Sequence, residues 1–87
     1  MDTKRINIMD KYLFETMVDG APKTPARDTF MEAWDDMYQH VKSLQDAGTL
    51  SWQLLETAMW IKTPNETLYF PDARDKAIRE FNWQHIK

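Results

Sequence analysis

The chain contains no cysteine. Disulfides, thiolate metal sites and a cysteine nucleophile are therefore excluded, and a reducing compartment suits it. Two glycines are too few for a phosphate-cradling loop or a dinucleotide fingerprint. Long apolar runs are lacking too. The longest uncharged stretch, Ala47–Leu55, is nine residues, far short of the ~20 that span a bilayer. The opening MDTKRINIMD has no uninterrupted apolar centre of the kind a secretory signal needs. These absences point to a cytoplasmic protein with no membrane partner.

Catalytic groups are equally scarce. The only histidines are His40 and His85, and Ser43 and Ser51 stand in no nucleophile-elbow pattern. Asp36 and His40 lie four apart and could bridge a divalent ion, but oxygen-rich sites need more ligands than one helix face supplies. The expected state of His40 is a surface imidazole whose charged form Asp36 favours. Neither an enzyme nor a metal or cofactor protein is expected.

What is present is bulk. Four tryptophans, three tyrosines, four phenylalanines and six methionines occur in 87 residues, more than one small core can hide. A chain of this length forms one domain, 1–87, and buries only about 60–65% of its unfolded surface. Residues 1–6 are expected to fray.

The strongest periodicity runs from Thr24 to Gly48. Phe30, Trp34, Met37, Val41 and Leu44 recur at steps of three and four and line one helical face, with Met31 and Tyr38 widening the stripe. Thr24 is read as the N-cap, Pro25 as the first helical residue and Gly48 as the terminator. The pattern thus predicts a long helix over about 24–47. A first helix is expected to start at Asn7, the acidic Asp10 three positions on lying near its positive end, with Met9, Leu13 and Met17 on one face, Phe14 and Val18 beside them, and Asp19-Gly20 ending it. The alternation of Ile6 and Ile8 allows a short strand instead. After Gly48 a short helix capped by Thr49 or Ser51 presents Leu54, Leu55, Ala58 and Met59. Pro64-Asn65 is turn chemistry between two β-prone runs and predicts a small hairpin over 59–70; the alternative is a helix through Ile61. Pro71-Asp72 opens a last helix with Ala73, Ala77, Ile78 and Phe81 inward. The fold class expected is mainly α, three or four helices packed on the central one with a short hairpin.

Net charge is −3 and is concentrated on the central helix. Asp28, Glu32, Asp35 and Asp36 gather on one side, at spacings where like charges repel. Together with Met31, Tyr38, Trp60 and Trp83 as exposed anchors, they are the candidate partner-binding residues. The function expected is a non-catalytic protein–protein interaction module, an adaptor or inhibitor whose partner presents a basic surface. Such compactness also suits a phage or mobile-element accessory protein. Two alternatives remain: a DNA-associated regulator using Arg74, Lys76 and Arg79, disfavoured because Asp72, Asp75 and Glu80 are interleaved with them, and a homo-oligomeric structural component.

Overall fold

The computed structural model describes residues 11–84. In chain order these form β1 (Leu13–Thr16), α1 (Phe30–Asp46), α2 (Trp52–Thr57), β2 (Met59–Lys62), β3 (Thr67–Tyr69) and α3 (Phe70–Phe81). The strands make an antiparallel sheet in the order β1-β2-β3. The protein is therefore an α+β structure, and the expectation of a mainly α domain on a long central helix is overturned. The expected fraying of 1–6 and the expected helix start at Asn7 to Asp10 lie outside the described residues.

The sheet arises where a helix was expected. Met9, Leu13 and Met17 are spaced for a helix, but residues 13–16 are extended and pair with β2: Leu13 opposite Lys62, Phe14 opposite Ile61, Glu15 opposite Trp60 and Thr16 opposite Met59. Strand geometry sends alternate side chains to opposite faces, so Phe14 is buried while Leu13 and Glu15 lie on the other face. Met17, expected inside, is 70% exposed. Pairing with a strand more than forty residues away outweighs the local period. The strands of the hairpin are β2 and β3, joined through Pro64-Asn65 with Thr63 N–H bonded to Glu66 C=O at 2.8 Å. They form the centre and one edge of the sheet rather than an appendage to a helical bundle. Met59 belongs to β2, not to a helix.

The central helix begins five residues later than its cap signals suggested. Residues 24–27 are committed to β1 instead: Thr24 Oγ1 donates to Phe14 C=O, and Arg27 and Tyr12 exchange backbone hydrogen bonds of 2.6 and 2.9 Å. Thr29 is the N-cap, in a reciprocal capping box with Glu32. At the other end Gly48, at φ +75°, lets its own N–H reach Gln45 C=O and the Thr49 N–H reach Leu44 C=O, the paired bonds of a Schellman stop. Ser51 caps α2.

Helices α1 and α3 cover one face of the sheet. Trp34, Met37, Phe30, Ala33 and Val41 of α1 meet Phe14, Met59, Ile61 and Leu68 of the strands and Phe70, Ala73 and Ala77 of α3 in a single buried cluster. Trp34 is its centre, 5.5 Å from the Phe70 ring and 5.2 Å from that of Trp83. Truncation of so large a buried aromatic to alanine costs about 3–5 kcal/mol. Asn82 ends α3 in the left-handed conformation, which turns Trp83 back onto Trp34 and Tyr38. Ile78 and Phe81, expected inside, are partly exposed, because the two alanines already fill the inner face of α3.

Candidate interaction surface

One turn into α1 the side chains of Arg27, Met31, Glu32, Asp35 and Asp36 enclose a shallow recess of about 380 Å³. It brings together four of the residues the sequence singled out. Each of its carboxylates has a different local tie. Asp36 is gripped by Arg27 through two bonds, Nε to Oδ2 at 2.7 Å and Nη2 to Oδ1 at 2.9 Å, a bidentate geometry only arginine offers. Glu32 accepts from the Thr29 backbone N–H and hydroxyl. Asp35 is exposed, and its one hydrogen bond among the described residues is from the Gln39 amide, at 3.5 Å. Asp28 stands apart at the helix entrance, paired with Lys11.

The field in the recess is negative. The Arg27 guanidinium is held above its ordinary pKa chiefly by its hydrogen bond to Asp36, with the charges of Asp36, Glu32 and Asp35 adding to this against partial burial. The Asp28 carboxyl lies below its ordinary value because Lys11 bonds it and neutralises it. The acidic side of α1 is thus partly compensated by this chain's own cations: Arg27 answers Asp36 and Lys11 answers Asp28, while among the described residues Glu32 and Asp35 form no ion pair and act on Arg27 only through their charge.

The remaining candidates do not join the recess. Tyr38 and Trp83 pack on each other, ring centroids 5.1 Å apart, and on Trp34. Trp60 lies on the outer sheet face, its ring 5.6 Å from Tyr69 and its Nε1–H donating to Glu15 at 2.9 Å. Among the described residues the most exposed tryptophan is instead Trp52, 62% accessible at the start of α2. Beside β1 a second groove of about 580 Å³ runs between Leu13–Thr16, the loop through Gly20 and Pro22, and Trp60. On α3, Lys76 bonds Glu80 and Arg79 bonds Asp75.

Arg27 and Thr29 are the residues that sequence reasoning missed. The signal for Thr29 was present, since Glu32 follows it at capping-box spacing. Nothing local marks Arg27 as the partner of Asp36. His40 is a correction: it is 6% exposed and buried beneath Phe14, and burial pushes its pKa down. Asp36 is turned to Arg27 and leaves that imidazole unassisted. Among the described residues no group of three or more His, Cys, Asp or Glu could hold a metal ion, and no helix is long and apolar enough to cross a membrane. No protein-family model, curated protein or solved structure matches the chain.

Proposed function

We propose that the protein is a small non-catalytic interaction module whose α1 recess receives a lysine or arginine side chain of a partner protein. The observation that carries this reading is the charge balance of the recess. Three carboxylates face a single guanidinium, which is already bonded to Asp36, so Glu32 and Asp35 are left to interact outward. Met31, half-buried in the same recess, supplies an apolar surface along which the methylene stem of a basic side chain can lie while its charged head stays among the carboxylates. Complementary charge of this kind speeds and orients encounter more than it tightens the complex, and exposed charges are screened by salt. The alternative reading of α3 as a DNA-binding helix is weakened by Glu80 and Asp75, which answer Lys76 and Arg79.

Asp35→Lys is the discriminating variant, because Asp35 takes no part in the Thr29–Glu32 cap or the Arg27–Asp36 pair. Immobilised wild-type protein, Asp35→Lys and a control reversal on α2, Glu56→Lys, are used to capture partners from native lysate at low salt. A protein retained by wild type and Glu56→Lys but lost from Asp35→Lys, and released by added salt, supports the recess. Equal retention by all three baits rules it out.

A further inference from the structure

The buried side of α1 holds a polar group that the recess does not use. The His40 ring sits 5.6 Å from that of Phe14 on β1. Its Nε2 is buried with no hydrogen-bond partner among the described residues. A buried nitrogen left unsatisfied already costs free energy, and a positive charge in the same place costs far more.

We propose that His40 makes the seat of β1 on α1 acid-labile, so that acidification frees this strand before the rest of the fold gives way.

Among the described residues, the surroundings offer an imidazolium no counter-charge. On α1 itself, Asp36 is one turn earlier and bonded to Arg27, and Lys42 reaches over the Tyr38 ring. The elements packed against α1 are β1, β2 and α3. On β1, Glu15 lies on the opposite sheet face and accepts from Trp60. β2 turns Met59 and Ile61 inward and leaves Lys62 exposed. On α3, Lys76 pairs with Glu80, Arg79 pairs with Asp75, and Asp72 and Arg74 are exposed. Burial is accordingly the cause that lowers the His40 pKa.

The sign follows from linkage. A histidine whose folded pKa lies below its ordinary value of about 6.5 binds fewer protons in the closed state than in the opened one. The closed seat is fully stable above about pH 6.5 and weakens as pH falls below it, until His40's own pKa is passed. β1 is the element that yields. It is a four-residue edge strand with one buried side chain, Phe14, and that side chain is the one resting on His40. The hairpin and helices retain the aromatic cluster around Trp34.

The test is a pH titration from 7.5 to 5 on the full chain, reading amide hydrogen exchange corrected for its intrinsic pH dependence, together with the His40 ring signals. In wild type, opening of the β1–β2 ladder, the Met17 N–H to Ala58 C=O bond included, should rise by up to about tenfold per pH unit below 6.5, with α1 and α3 amides changing far less. In His40→Leu that acid dependence should vanish. If the leucine variant does not fold, His40→Gln, polar but unable to take a charge, should be equally flat. Parallel pH dependence in wild type and the variant that folds overturns the proposal, as does a His40 ring that titrates at its ordinary value in the folded protein.

Discussion

Two arginine–aspartate pairs in this protein have nearly the same length and very different consequences. Arg27 Nε lies 2.7 Å from Asp36 Oδ2, and Arg79 Nε lies 2.8 Å from Asp75 Oδ2. The second pair is one turn apart on an exposed helix, with side chains 67% and 58% accessible. Either member can leave with no change in backbone. In the first pair Asp36 is only 11% accessible, the contact is bidentate, and the backbone of Arg27 is simultaneously paired with Tyr12. That one residue therefore ties the entrance of β1 to the first turns of α1. Bond length does not distinguish the pairs; what each bond connects does.

The sharpest way to break this contrast is Asp36→Ala. It should be the most destabilising of the three changes considered, lowering the thermal midpoint and loosening the β1 amides along with the helix entrance. Thr29→Ala removes the capping hydroxyl and should cost about 1 kcal/mol in chemical denaturation, confined to the start of α1. Arg79→Ala should cost only about 0.2–0.5 kcal/mol and leave β1 protection as in wild type. Equal losses from Asp36→Ala and Arg79→Ala would mean that connecting distant segments adds nothing to the α1 pair.

The same distinction explains what could be read from the residues in advance. The stripe Phe30, Trp34, Met37 and Val41 is a local period, and all four are buried. Pro64-Asn65 is local turn chemistry, and the chain turns there between β2 and β3. Gly48 and Ser51 act as stop and cap for reasons visible within a few residues. By contrast, β1 exists because Trp60 and Ile61 supply it with a partner, and no window around Leu13 contains that information. The start of α1 shifted because residues 24–27 follow β1, a non-local commitment that outweighed a good cap at Thr24 and a proline at 25. Four members of the recess were legible as a helical face, whereas Arg27, which neutralises part of it, was not. Tyr38 and Trp83, the expected partly exposed anchors, are half-buried, and the left-handed turn at Asn82 that folds one onto the other leaves no periodic trace.

The central claim is that Glu32 and Asp35, left over by the pairing of Arg27 with Asp36, accept a basic side chain. The most direct measurement is a titration of isotope-labelled protein with a short oligolysine peptide at low salt, following backbone and carboxylate signals by NMR. Saturable shifts centred on Met31, Glu32, Asp35 and Asp36, abolished in Asp35→Lys, are the result expected. Shifts spread equally over Asp46, Glu56, Asp72 and Glu80, or no shifts in the recess, would contradict it.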